Sequence, residues 1–231
     1  VSADTGSDEM GDGTMASPWR TIQFAIEQVA LCGIDAEPVT IQLDAGTYGE
    51  SITLAPHIIL RGASREEPSL TRIAPTTAPA SGDLSAGDAI VLAQGPATGA
   101  ALRDLSIILP EAGPETVALL RVLDTAMDVE NVVFDGNSRP GSVGVAITSP
   151  GSSDARIAAS LFTGLDQGVS AMNTAANFTR NVFENIAGAA VFVRAPASTA
   201  IADALNPLFG DQENIQGSGL NTFVMDSING G

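Results

Sequence analysis

The sequence contains no lysine; all 10 of its basic residues are arginine. Schiff-base chemistry and a phosphate-cradling loop built on lysine are therefore excluded. Those arginines face 27 aspartates and glutamates, for a net charge of −17. A nucleic-acid surface needs a basic patch, as does docking on an anionic membrane, so neither partner is expected. The single histidine, His57, would have to serve any Ser-His-Asp, Cys-His or multi-histidine metal site. It follows Pro56 at the head of a strand with no nucleophile motif around it, and reads as structural. Cys32 is the only cysteine, so no intramolecular disulfide forms, and it reads as a buried thiol. One tryptophan and one tyrosine leave few platforms for stacking sugars. No apolar run approaches the roughly 20 residues of a membrane helix, so no membrane insertion is expected.

What is present is a hydrophobic fraction of 44% over 231 residues, enough for one domain with a sizeable core. A start at Val1 and an end at Gly230-Gly231 read as a processed product or a piece of something longer. The acidic, lysine-free composition suits a place outside the cell or on its surface. Residues 1–16 lack apolar periodicity and read as an acidic loop. Within it Asp4, Asp8 and Asp12 have a spacing suited to calcium, although the EF-hand pattern is not met. A capping helix is expected over 17–32. Ser17 would be its N-cap and Pro18 its first residue, with Ile22, Ala25, Ile26, Val29 and Ala30 along one face.

Beyond the helix the sequence reads as short strands over 38–223, followed by a tail at 224–231, and an internal repeat organises them. The segments Leu102–Ile107, Val129–Phe134, Ile157–Phe162 and Phe178–Phe183 each begin and end on a large apolar residue. Their last residues lie 27, 28 and 21 apart (107 to 134, 134 to 162, 162 to 183). Three are followed by a glycine-bearing turn and a second strand, at Gly141–Ile147, Gly164–Ser170 and Gly188–Val193. A unit of this size cannot bury its own apolar face. Stacked on its neighbours it can, and the period of two within each unit makes the stack a β-solenoid.

Four stretches then resemble the right-handed parallel β-helix, or pectin-lyase-like, superfamily. Gly13-Thr14 followed by Ala16–Gln23 and Ala25-Ile26 resembles its opening segment, and Asp44–Glu50 its "x-x-G-x-Y-x-E" turn. Ile58–Gly62 resembles the next strand, and Arg180–Phe183 the rung form "x-N-x-F". Asn206–Asp211 and Gly219–Phe223 are similar to a segment that ends some bacterial β-helix domains of unknown function. The resemblance implies an all-β right-handed parallel β-helix over 1–231, with the helix capping its N-terminal end. It also implies on the order of eight coils, a rod about 40 Å long at the strand spacing, with Asn131 or Asn181 stacking an amide along the axis at a turn.

These motifs build coils and carry no chemistry. Of the esterase branch's motifs only the tyrosine turn is present; "Q-D-x-L", "D-[FY]-I-F-G" and "G-R-P-W" are missing. The lyase branch needs an arginine or lysine base beside calcium held by aspartates. Arg103, Asp104, Glu130 and Arg180 are the residues that fit an enzymatic reading, with Arg103 aligned over Glu130 and Asp104 over Asn131 and Arg180. Vertical neighbours of opposite charge also make a solvated ladder, so the leading expectation is a non-catalytic scaffold, adhesion or filament module. The alternative is a polysaccharide-active enzyme of lyase or hydrolase type. A β-helix exposes strand edges at both ends, and the short tail offers no C-terminal cap. Partners are thus expected to be end-to-end copies, further domains of a longer chain, or a polysaccharide.

Overall fold

A computed structural model describes residues 1–33, 37–77, 89–95, 97–112, 117–148, 155–172, 176–194 and 222–224. Strands follow one another in a winding path. The first coil holds β1 (Val39–Gln42), β2 (Gly46–Tyr48) and β3 (Ile52–Leu54). The second holds β4 (Ile58–Arg61), β5 (Thr71–Ile73) and β6 (Ala89–Gln94). In the third and fourth the first two strands merge, as β7 (Ala100–Ile108) with β8 (Val117–Leu123), and β9 (Met127–Asp135) with β10 (Ser142–Thr148). They separate again in the fifth, β11 (Ala155–Ala158), β12 (Leu161–Leu165) and β13 (Gln167–Met172). The sixth is β14 (Ala176–Thr179), β15 (Val182–Ile186) and β16 (Val191–Arg194), and β17 (Thr222–Val224) begins a seventh.

Every strand pairing among the described residues is parallel, and each strand pairs with its counterpart one coil away. That is a β-helix. The described residues make six coils and the start of a seventh, against the eight expected, because two of the coils span more of the sequence than the others. Register neighbours are Leu60 and Leu102 across one of them and Phe183 and Phe223 across the other.

The repeat seen in the sequence is the register of the stack. Leu102 pairs with Val129, Val129 with Ile157 and Ile157 with Phe178. Ile107 pairs with Phe134, Phe134 with Phe162 and Phe162 with Phe183. The Phe134, Phe162 and Phe183 rings stack in the core at 4.8 and 4.7 Å between centroids. Between these two inward columns each rung bends. The third residue of each segment, Asp104, Asn131, Ala159 or Arg180, has φ of 57°, 57°, 51° or 55°. The backbone groups freed at the bend find side chains of the neighbouring coil. Ser160 N donates to Asn181 Oδ1 (3.0 Å), and Val132 N donates to Ser160 Oγ (3.2 Å). Asn181 Nδ2 donates to the Ile157 carbonyl (2.9 Å), so this fully buried amide does run along the axis.

The N-terminal helix, α1 (Ile22–Leu31), begins four residues after Pro18, with Thr21 rather than Ser17 as its N-cap. The reason is that the carbonyls of residues 17–19 are already taken by the loop before them. Asp12 N donates to Ser17 O (2.9 Å), Ser7 N to Pro18 O (3.0 Å) and Ser2 N to Trp19 O (2.9 Å). Two carboxylates then finish the helix end. Asp8 accepts from Arg20 N (2.8 Å), Thr21 N (3.0 Å) and Thr21 Oγ1 (2.8 Å). Glu50, from the tyrosine turn, accepts from Ile22 N (2.8 Å) and Gln23 N (2.9 Å). Tyr48 of the same turn is buried and donates to the Val1 carbonyl (3.0 Å). Cys32 is exposed, not buried, because it is the C-cap residue where the chain leaves the helix. The tail at 225–231 and the segment at 206–211 lie outside the described residues, as do residues 219–221.

Two outcomes follow. Phe162→Ala removes the middle ring of the stack and should cost about 3–5 kcal/mol in urea unfolding. Burial pushes the Asp8 carboxyl up, but its hydrogen bonds from Thr21 and Arg20 outweigh that and hold it below its usual 3.8. A lowered carboxylate stabilises the fold above its unfolded value, and that contribution fades as pH falls through the folded one. Asp8→Ala should therefore destabilise by about 1 kcal/mol at pH 7, and the gap from the parent protein should narrow in melts run near pH 3.

Candidate functional site

The outward residue before each bend forms a column that runs up the stack. Gln42, Arg61, Arg103 and Glu130 occupy it on successive coils, paired in register. The bend residues make the adjoining column, with Gly62, Asp104 and Asn131 at the same levels. Hydrogen bonding draws these two columns together on coils two to four. Arg61 Nε donates to Asp104 Oδ2 at 3.1 Å, an ion pair whose carboxylate side chain is only 7% exposed. Asn131 Nδ2 donates to Asp104 Oδ1 at 2.8 Å, so both carboxylate oxygens are engaged. Asparagine and aspartate suit these two places because their short polar side chains tolerate the left-handed backbone.

Arg103 and Glu130 are register neighbours, yet they do not pair. Glu130 Oε1 instead accepts from Arg65 Nη2 at 3.4 Å. Arg65 belongs to residues 63–70, an excursion between β4 and β5 that ends in a short 3-10 turn, Pro68–Leu70. This segment lies over the outer face, where its turn packs against β7 and β9. The Arg65 carbonyl accepts from Asn131 Nδ2 at 2.7 Å. Arg103 is left with its Nε buried and without a hydrogen-bond partner. Three guanidiniums and two carboxylates thus share one corner of a strongly acidic protein.

The corner depends on a glycine. A Cβ on Gly62 would lie 1.9 Å from the Asp104 carbonyl oxygen, so only glycine lets these two coils meet here. Gly62 N also donates to the Arg103 carbonyl at 2.9 Å.

Of the residues singled out from sequence, Arg103, Asp104 and Glu130 come together. Arg180 does not join them. It occupies the same bend column on the sixth coil, with Ala159 of the fifth between it and Asn131, and its side chain is exposed. Asp128 and Arg156 pair in register on the neighbouring outward column, both exposed. Asn131 joins Arg103, Asp104 and Glu130 as its alignment with Asp104 implies, and Arg61 and Arg65 complete the cluster without being singled out by the sequence. For Arg61 the signal was available: Leu60-Arg61-Gly62 aligns with Leu102-Arg103-Asp104. For Arg65 there was none, since it lies in an excursion that follows no repeat.

The acidic loop is spent differently. Asp8 caps the helix, Asp12 accepts from Thr14 N (2.9 Å), and Asp4 is exposed. Among the described residues no group of three or more His, Cys, Asp or Glu side chains is arranged to hold a metal ion. His57 has φ of 57° and its backbone N donates to Thr98 O (3.0 Å), while its ring lies against Gly99.

Replacing Asp104 separates its two duties. Asp104→Asn keeps a residue suited to the left-handed bend and loses a pair with a half-exposed arginine, a cost of about 1 kcal/mol or less. Asp104→Ala also takes one of the two acceptors from the half-buried Asn131 amide and forces an unsuited backbone, about 2–3 kcal/mol in all. Urea titrations of both variants check this ordering.

No protein-family model matches the sequence, and no curated protein matches it. Solved structures do share its architecture. Escherichia coli YbhC superposes with a TM-score of 0.54 at 19% identity, covering 78% of this chain and 55% of that one. The rice weevil pectin methyl esterase gives 0.45 at 15% identity, covering 83% and 66%. Pectin methylesterase PemA from Erwinia chrysanthemi gives 0.43 at 14%, covering 81% and 65%. The chain therefore spans little more than half the length of YbhC. The fold is the right-handed parallel β-helix of pectin-lyase-like proteins.

Proposed function

We propose that this pectin-lyase-like β-helix acts outside the cell on an acidic polysaccharide laid across its second to fourth coils, as an enzyme of lyase or hydrolase type. The observation that carries the reading is Arg103, whose guanidinium has a buried Nε and no hydrogen-bond partner among the described residues, set beside an aspartate that two neighbours hold in place. Guanidinium geometry matches a carboxylate through two parallel hydrogen bonds, and its charge persists at any working pH. A uronate sugar supplies that carboxylate. Coils rise by ~4.8 Å each, so a linear polymer crossing them meets Arg61, Arg103 and Arg65 in turn.

The two carboxylates divide the work. Asp104, with both oxygens engaged, orients Arg61 and Asn131. Glu130, whose one partner among the described residues is the exposed Arg65, is the group we assign to proton exchange with substrate or water. A second reading has its own support. Both carboxylates of the cluster are held by arginine, which is how a scaffold fixes its surface. In that case the chain is a non-catalytic adhesion or filament unit that binds polysaccharide, or joins copies of itself end to end, without turnover.

Incubation with polygalacturonate and other uronate polymers, followed by ultraviolet absorbance for unsaturated ends and by a reducing-end assay, separates the two. Turnover should fall by about 100-fold or more in Glu130→Gln. In Arg103→Ala the weaker hold on the polymer should show mainly as a raised KM. Binding without turnover favours the scaffold, and neither binding nor turnover overturns the polysaccharide reading.

A further inference from the structure

We infer that residues 63–70 form a latch over the Arg103 corner, and that an anionic polymer gains that corner by prising the latch open. The proposal rests on the polysaccharide reading for the identity of the opener, but the latch itself stands on geometry alone.

The two ends of the segment are pinned. Gly62 N donates to Arg103 O (2.9 Å), and Ala63 N donates to Thr71 Oγ1 (2.9 Å), which itself donates to Asp44 O (3.2 Å). Thr71 is fully buried in β5. Between these anchors the Pro68–Leu70 turn packs against β7 and β9, and two polar contacts tie the segment to the fourth coil. One is the Asn131 Nδ2 bond to the Arg65 carbonyl at 2.7 Å. The other is the Arg65–Glu130 pair at 3.4 Å, with side chains 72% and 37% exposed. An exposed pair of that kind holds weakly and is screened by salt.

Beneath the latch lie groups that a merely decorative loop would not need to cover. Asp104 and Ser106 are buried although both lie on the outer side of the wall, and Ser106 Oγ donates to Thr71 O (3.2 Å). On the adjoining outward column the Arg103 Nε is buried as well, with no hydrogen-bond partner among the described residues. A buried unsatisfied donor costs free energy in the closed state, so closing works against the corner's own chemistry. An incoming carboxylate reverses that balance. It pairs with Arg103, competes with Glu130 for Arg65, and leaves the Asn131 amide still bonded to Asp104. Firm ends, a weakly held middle and an unsatisfied donor beside it are what a latch requires.

The test follows two signals by mass spectrometry in the whole protein: amide hydrogen exchange of residues 63–70, and modification of Arg103 by phenylglyoxal, with exposed Arg156 as control. Asn131→Gly keeps the left-handed bend and removes the latch bond. It should raise both signals by about tenfold, with exchange in β13, which belongs to the other sheet, and modification of Arg156 unchanged. Should that variant unfold, 1 M sodium chloride and Arg65→Ala each release the ion pair in an otherwise intact protein, with a smaller rise in both signals expected. Polygalacturonate should raise exchange in 63–70 while protecting Arg103. Unchanged signals in the released forms overturn the latch, as does polymer that protects Arg103 while exchange in 63–70 stays at its resting rate. Signals that rise on release but do not respond to polygalacturonate leave the latch standing and overturn the polysaccharide reading.

Discussion

Each coil must return to within one strand spacing of the coil before it, and the left-handed residue between the two inward columns makes that return possible. Asp104, Asn131, Ala159 and Arg180 all adopt it, in register on successive coils. The bend sends the next inward side chain, Ile107, Phe134, Phe162 or Phe183, into the same core as the previous one. It also turns a backbone N–H away from its ladder partner, which is why Ser160 and Asn181 are polar and buried: they accept the bonds the bend releases. Alanine and arginine at the lower two bends adopt a conformation that costs them roughly 1–2 kcal/mol each. Stacking on both neighbours repays this.

The same bend creates the charged corner. A left-handed residue carries its side chain out of the alternating pattern, so Asp104 and Asn131 meet along the stack instead of pointing away from it. Once they are joined, Arg61 has a fixed carboxylate above the bend and Arg65 has a fixed carbonyl partner beside it. Arg103 is then surrounded by groups already committed to others. The cluster's electrostatics therefore depend on the backbone, with side-chain identity deciding the sign of each charge.

The N-terminal end shows another kind of constraint. A parallel stack must begin somewhere, and its first strand would present a free edge. Here Val1 lies along β1, donating to Gln42 O (2.8 Å) and accepting from Asp44 N (2.9 Å), and α1 packs against β1 and β3. Two carboxylates converge on one helix end and respond in opposite directions. Asp8 is lowered by its hydrogen bonds. Burial pushes Glu50 up, and its two backbone bonds do not offset that. The tyrosine turn that resembles a family signature is thus a cap, holding α1 through Glu50 and Val1 through Tyr48.

Much of this was legible before any coordinates. Large apolar residues at both ends of each six-residue segment determine which positions stack, because burial is common to every copy and a one-residue slip would turn the core outward. The period of two, the parallel stack and the vertical alignment of Arg103 with Glu130 follow from the residues alone. Helix α1 was legible in type and not in its start, because Ser17 and Pro18 are good local signals overruled by loop hydrogen bonds from Ser7 and Asp12. What only the tertiary structure decided is who pairs with whom. Alignment sets neighbours along a column, but ion pairs form where side chains reach, and an excursion outside the repeat carried Arg65 to Glu130 and left Arg103 unpaired. Periodicity encodes the wall, since every coil obeys the same burial rule. The site is written in the exceptions, whose positions depend on contacts between residues far apart in the chain.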